Sequence, residues 1–193
     1  LGTGIYIEGA STMTINENNI TNHNGNGIEL YNSQKIKVKG NNISYSASSG
    51  IFLFDTKDSE IRDNQISHNS DGIVLINSNR NTISLNTLSY SVENGILIQN
   101  YSHYNSIKEN IISHALYYIS IGDSSYGTYL LSNEPNFIRR FEDISNLLPP
   151  PLPHREVEGE LEFPSYYVLF FVVICTIAII LLIAKKRGKF LVY

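Results

Sequence analysis

The chain has 193 residues, room for one domain with appendages, and carries 14 Lys and Arg against 18 Asp and Glu, a formal net charge of −4. With one cysteine it has no intramolecular disulfide. No basic stripe stands out along the chain, which argues against a nucleic-acid partner.

The first two-thirds repeat. Gly-Ile recurs at Gly4-Ile5, Gly27-Ile28, Gly50-Ile51, Gly72-Ile73 and Gly95-Ile96, in steps of 23, 23, 22 and 23 residues. A fixed period of this size defines a solenoid. The chain opens on Leu1, already in mid-repeat and without a signal peptide, so further coils and an export signal are expected upstream. Each Gly-Ile is followed two residues later by another aliphatic (Ile5/Ile7, Ile28/Leu30, Ile51/Leu53, Ile73/Leu75, Ile96/Ile98, Ile119/Ile121), the alternation of a half-buried strand. A second aliphatic column runs through Ile15, Val38, Ile61, Ile83 and Ile107, and a third through Ile20, Ile43, Ile66, Leu88 and Ile112. Three apolar clusters per repeat, separated by polar corners, predict an all-β solenoid over residues 1–131, with about 23 residues and three strands per coil, five full coils and part of a sixth.

Two sets of corner residues recur with the coils. Asn18, Asn41, Asn64, Asn86 and Asn110 form one, and Asn32, Asp55, Asn77, Asn100 and Asp123 the other. Asn and Asp tolerate left-handed backbone angles and bond nearby backbone, and stacked amides bond one another. Both sets are expected to be structural ladders rather than ligands for a metal or sugar.

Beyond Ile121 the repeat fades. Residues 132–148 open on Ser132-Asn133 with Glu134 and Pro135 behind, then place Phe137, Ile138, Phe141, Ile144, Leu147 and Leu148 at helical spacing. An amphipathic helix capping the last coil is expected there. Residues 149–165, rich in Pro and Glu, read as an extended stalk. From Tyr166 to Ala184 no residue is charged. Such a run forms a helix of about 28 Å, close to the hydrocarbon thickness of a bilayer. Lys185, Lys186, Arg187 and Lys189 follow it. The positive-inside rule then sets residues 185–193 in the cytoplasm and the solenoid outside. Cys175, inside the apolar run, is read as a small hydrophobe.

The segments NGIELYNS (26–33), DGIVLINS (71–78) and NRNTISLNTLSY (79–90) resemble the repeats of right-handed parallel β-helix proteins, a broad group with pectate lyases, carbohydrate-binding and sugar-hydrolase domains, and the Asn-rich NosD-like branch. The resemblance implies the handedness of the coil. It also implies three roles: glycan binding, polysaccharide cleavage, or service as an accessory of a membrane-linked copper pathway.

The residues are tested against each role. Cleavage needs carboxylates clustered on adjacent coils, and the outward columns bring together only Lys39, Arg62 and Asp63. Copper needs clustered soft or imidazole ligands; His68 and His114 share a column two coils apart, about 10 Å at the usual strand spacing. Nothing in the sequence calls for a cofactor. Outward aromatics (Tyr6, Tyr31, Phe52, Phe54, Tyr101, Tyr104) suit sugar rings or one another, and Asn19, Asn42 and Asn100 head glycosylation sequons. The expectation is a membrane-anchored, extracytoplasmic β-helix that binds glycans or surface proteins without catalysis. The alternatives are a lyase or hydrolase with catalytic coils upstream, and the NosD-like accessory role.

Overall fold

The computed structural model describes residues 2–141. The chain divides into two units, 1–149 and 150–193. The expected stalk, membrane span and basic tail, and residues 142–148 of the expected helix, lie outside the described residues. No helix among the described residues is long and apolar enough to cross a membrane.

Short aliphatic strands separated by tight corners wind into coils. The first coil comprises β1 (Ile5–Glu8), β2 (Thr14–Asn16) and β3 (Asn19–Thr21); the second β4 (Ile28–Tyr31), β5 (Lys37–Lys39) and β6 (Asn42–Ser44). The third has β7 (Ser49–Phe54), β8 (Glu60–Arg62) and β9 (Gln65–Ser67); the fourth β10 (Asp71–Ile76), β11 (Thr82–Ser84) and β12 (Thr87–Ser89). The fifth has β13 (Asn94–Gln99), β14 (Ser106–Lys108) and β15 (Ile111–Ser113). The sixth contributes β16 (Tyr117–Gly122) and β17 (Tyr129–Leu131), and β18 (Ile138–Phe141) begins a seventh.

Like strands stack in parallel into three sheets. The first holds seven strands (β1, β4, β7, β10, β13, β16, β18), the second six (β2, β5, β8, β11, β14, β17) and the third five (β3, β6, β9, β12, β15). Register follows the sequence beat: Ile5 pairs with Ile28, Ile28 with Ile51, Ile51 with Ile73, Ile73 with Ile96 and Ile96 with Ile119. The three aliphatic columns fill one continuous core, joined by Ile36, which the column pattern did not include. The glycine of each beat has a packing cause. A Cβ on Gly50 would lie 2.5 Å from Ile66 Cγ2 and 2.9 Å from the Gly72 carbonyl oxygen, closer than real Cβ atoms approach.

The corners turn on single left-handed residues. After the second sheet these are Glu17, Gly40, Asp63, Leu85, Glu109 and Ser132, all with φ between 49° and 64°. Such a conformation costs a non-glycine residue about 1–2 kcal/mol, so each corner must be held by its neighbours.

The helix expected from residue 132 does not form over 132–141. Ser132 takes the left-handed corner angle instead, and Asn133 enters the ladder that ends at Asn110 in the sequence pattern. β18 then pairs with β16, Ile138 opposite Ile119. The hydrophobic spacing of Phe137, Ile138 and Phe141 fits a helix, but the open edge of β16 presents backbone donors and acceptors that a strand satisfies and a helix leaves bare. The β-helix therefore runs past 131. Its sixth coil is short, 19 residues from Ile119 to Ile138 against 23 from Ile96 to Ile119. Glu134 bridges to Ile111, which puts Pro135 opposite Ile112, and proline has no N–H for a third strand.

Candidate functional site

The Asn row between the second and third sheets is interior. Asn41, Asn64, Asn86 and Asn110 are buried, and each side-chain oxygen accepts from both the backbone N–H and the amide of the Asn one coil earlier. Asn133 extends the row beyond Asn110. Each amide also donates to an aliphatic-strand carbonyl of the previous coil, as Asn41 does to Ile15 O at 3.0 Å and Asn64 to Val38 O at 3.0 Å. With its polar atoms engaged by neighbouring coils, this row has no capacity for an outside ligand.

The second set behaves differently. Asn32, Asp55, Asn77 and Asn100 occupy left-handed corner positions after the first sheet and lie at the surface, with a side-chain bond from the Asn77 amide to Asp55 Oδ1. Asp123 is exposed in a turn. Interior ladders on this side use residues that the sequence pattern did not single out. Thr56 N donates to Ser78 Oγ, Ser78 N to Ser102 Oγ and Ser102 N to Ser125 Oγ. Ser59 N donates to Asn81 Oδ1, and Asn81 N to Asn105 Oδ1. Mixed Ser, Thr and Asn hide these rows from a search for identical residues.

Lys39 and Arg62 are register partners on the second sheet. Arg62 binds Asp63 Oδ2 at 2.6 Å and also Glu60 Oε1 at 3.1 Å. Glu60 is thus a second carboxylate at this group, two residues away on the same strand face, which the column-by-column reading missed. Both carboxylates are held by one guanidinium. Nearby, Arg80 forks onto Asp58 with 2.7 and 3.1 Å bonds, and Arg80 holds the Asp58 carboxyl below its usual pKa.

These charges share one side of the solenoid. Lys37, Lys39, Arg62 and Lys108 lie on the second sheet, and Lys35, Lys57 and Arg80 on the corner leading into it. No other Lys or Arg occurs between residues 2 and 138. A shallow polar pocket lined by Gly9, Ala10, Asn32, Ser33, Gln34, Asp55 and Lys57 borders the same corner. The coil therefore gathers these cations, together with Asp55, Asp58, Glu60 and Asp63, onto one side.

His68 and His114 stand in a column of left-handed corner residues after the third sheet. Tyr45, His68, Tyr90 and His114 stack with ring centroids 4.7, 4.8 and 4.4 Å apart, so Tyr90 separates the two histidines. Stacked pairs contribute about 0.5–1.5 kcal/mol each, which offsets part of the corner strain. Ring faces within the column are covered by one another, leaving edges outward. Among the described residues no three His, Cys, Asp or Glu come together as metal ligands.

The other aromatics fall into two groups. On the first sheet Tyr31 stacks on Phe54 at 4.9 Å, and Phe52 lies 6.5 Å from Phe54. Tyr6, at the first coil, donates to Glu8 at 2.9 Å, and that carboxylate raises its pKa. The second group sits where the corner between the first and second sheets lengthens from five residues (77–81) to six (100–105 and 123–128). Four tyrosines in these corners and at the start of β17 are more than half exposed: Tyr101 52 %, Tyr104 58 %, Tyr126 55 % and Tyr129 57 %. Tyr104 meets Tyr126 edge to face at 5.4 Å, and His103 lies 3.8 Å from the Tyr126 ring. Gly127 has φ +69° and a Cβ there would lie 2.6 Å from Tyr104, so only glycine lets the ring settle. A bond to Tyr104 raises the pKa of Tyr126. Tyr126 and Tyr129 were not foreseen, because the repeat fades around them.

The third sheet's outer face is neutral. Asn19 and Asn42 are exposed there, with Asn42 donating to Asn19 at 3.2 Å, and Asn100 is half-buried at its corner.

A parallel three-sheet solenoid with an internal Asn ladder defines the class, the β-helix proteins. The pattern described as a right-handed β-helix region matches residues 2–139, and the chain belongs to that family. None of the curated proteins compared matches it. Among solved structures it is similar to the DFA-IIIase of Arthrobacter chlorophenolicus A6 without its lid: 16 % identity, TM-score 0.59, 77 % of this chain and 40 % of that one. It also matches the periplasmic alginate epimerase AlgG at 18 % identity and TM-score 0.43, covering 73 % of this chain and 38 % of that one. The chain thus spans about two-fifths of each of these proteins.

Proposed function

We propose that the chain is a membrane-anchored, extracytoplasmic glycan-binding module without catalysis of its own. The observation that carries the reading is the exposed cluster of Tyr101, Tyr104, Tyr126 and Tyr129. Tyrosines give broad apolar faces and a hydroxyl at little conformational cost, a combination suited to sugar rings. The apolar run 166–184, followed by Lys185, Lys186, Arg187 and Lys189, supports the anchor and its orientation.

Two experiments test it. The full chain in neutral-lipid nanodiscs should bind immobilised extended polysaccharides, and Tyr104→Ala with Tyr126→Ala should weaken binding at least about tenfold, or 1.4 kcal/mol. Binding unchanged in that variant removes the tyrosine site. Protease added to intact cells should release the solenoid and leave the tail protected; a protected solenoid reverses the topology.

Polysaccharide cleavage is the second reading, and the Glu60–Arg62–Asp63 group is its observation. Two carboxylates tied to one arginine are poor acid and base, so no turnover of polygalacturonate is expected, with or without calcium. Turnover that vanishes in Arg62→Ala would reverse this ranking.

A further inference from the structure

In an Asn-Gly pair the side-chain amide can react with the chain that carries it, because glycine has no Cβ to block the approach of its nitrogen. The chain has three such pairs: Asn24-Gly25, Asn26-Gly27 and Asn94-Gly95. The reaction needs a side-chain amide free to fold back and a following N–H that no carbonyl holds. The fold locks two of the pairs. Asn26 accepts from Ser49 N at 3.0 Å and donates to Glu29 at 3.0 Å, while Gly27 N donates to Ser49 O at 2.9 Å. Asn94 is 7 % exposed, donates to Asp71 at 2.8 Å and accepts from Ser120 at 2.6 Å, and Gly95 lies inside β13.

Asn24-Gly25 differs from both. It lies in the corner between β3 and β4, where the chain passes from the first coil to the second, and Asn24 is exposed. Among the described residues nothing bonds the Asn24 side chain, and the Gly25 N–H donates to no carbonyl. The carbonyls around it are held: His23 O accepts from Ala47 N at 2.8 Å, and Gly25 O accepts from Ser48 N at 3.2 Å. The corner is fixed to the second coil through its carbonyls, while the two reacting groups stay free.

We propose that Asn24 is a site of spontaneous covalent modification: in the folded chain it deamidates through a cyclic imide with Gly25, and the isoaspartyl product loosens the corner joining the first two coils. The Gly25 nitrogen attacks Asn24 Cγ. The N–Cγ bond forms, the Cγ–Nδ2 bond breaks, and Nδ2 leaves as ammonia with the proton that Gly25 N gives up. Water then opens the imide at either carbonyl, giving aspartate or an isoaspartyl residue whose main chain runs through Cβ and Cγ. No redox change and no partner other than water are involved, and the chemistry is independent of what the solenoid binds. The isoaspartyl form lengthens the path between His23 O and Gly25 O by one C–C bond, about 1.5 Å. Two hydrogen bonds to successive residues of the next coil cannot both absorb that displacement. Either product also adds a negative charge at an exposed corner.

The test ages the full chain in neutral-lipid nanodiscs in mildly alkaline buffer and locates the product by tandem mass spectrometry, which separates position 24 from position 26 within one peptide. Conversion at Asn24 should run at least about tenfold faster than at Asn26 or Asn94, because the locked pairs react only in locally opened molecules. In concentrated urea, where the fold no longer protects any of them, the three should convert at similar rates. The aged chain should lose hydrogen-exchange protection at the Ala47 and Ser48 amides while the fourth and fifth coils keep theirs. Asn24→Gln, whose longer side chain closes the imide poorly, should prevent both the modification and the loss of protection. No product at position 24 in the folded chain, or equal conversion at the three positions, overturns the site. A difference among the three that persists in urea overturns the role of the fold. Modified Asn24 with unchanged exchange at Ala47 and Ser48 overturns the loosening of the corner.

Discussion

The second and third sheets are built alike inside and differ outside. Both consist of three-residue strands whose central aliphatic is buried, Ile15 to Ile107 in one and Ile20 to Ile112 in the other. Outward, the second presents Lys37, Lys39, Glu60, Arg62 and Lys108, whereas the third presents Asn, Thr, Ser, Gln and one Ile without a single charge. Parallel stacking explains the cost of each choice. Neutral polar groups at one coil spacing bond their like, as Ser44 does to Thr21. Like charges in register repel, as Lys39 and Arg62 must, and Glu60, opposite Lys37 and paired with Arg62, offsets part of that cost. The neutral face is the cheaper solution.

The strongest way to break the comparison is to damage what both faces share. Ile73→Asp places a carboxylate among fully buried aliphatics and should cost more than about 4 kcal/mol, lowering the urea midpoint or leaving no folded protein. A soluble, cooperative variant would refute the shared core. Next, Asn64→Ala strips Val38 O and the Asn41 N–H groups of their partners between the two sheets. Unsatisfied buried groups cost about 1–3 kcal/mol each, so a loss of about 3–5 kcal/mol is expected, while exposed Asn42→Ala on the neutral face should change stability by less than about 0.5 kcal/mol.

Smaller effects sharpen the contrast. On the charged side the Asp58 pKa is depressed by Arg80, so the stabilisation from this pair is present above the unfolded value of about 3.9 and is lost as pH falls through the lower folded value. Carbon-detected titration should show the Asp58 midpoint rising in Arg80→Gln; an unchanged midpoint would show that the pair does not persist in solution. The smallest change is at Leu85, half exposed and left-handed at φ 57° between the two sheets. Leu85→Asn should stabilise by up to about 1 kcal/mol, measured by thermal unfolding, because Asn tolerates that angle. Destabilisation would mean that Leu85 has a packing role its exposure hides.

What the sequence determined by itself is the solenoid. The Gly-Ile beat, the three aliphatic columns and the first Asn row each state a constraint that repeats from coil to coil, so at least five copies of the same signal stand in the chain. Where the constraint is met by different residues the signal thins. Ser59, Asn81 and Asn105 serve one ladder, and Leu130 continues the column of Ile107 without its neighbours' pattern. Residues 132–141 show the limit most clearly: local spacing favoured a helix, and the unpaired edge of β16 took the chain as a strand. Only the tertiary structure decided which outward residues meet. Lys35, Lys37 and Lys39 are close in the linear order, but Lys57 and Glu60 join them only through the coil, and Tyr101, Tyr104, Tyr126 and Tyr129 lie on two different coils. Winding brings residues about 23 apart to within one strand spacing, and it is this neighbourhood, invisible to composition or local periodicity, that gathers charged and aromatic side chains on one side of the molecule.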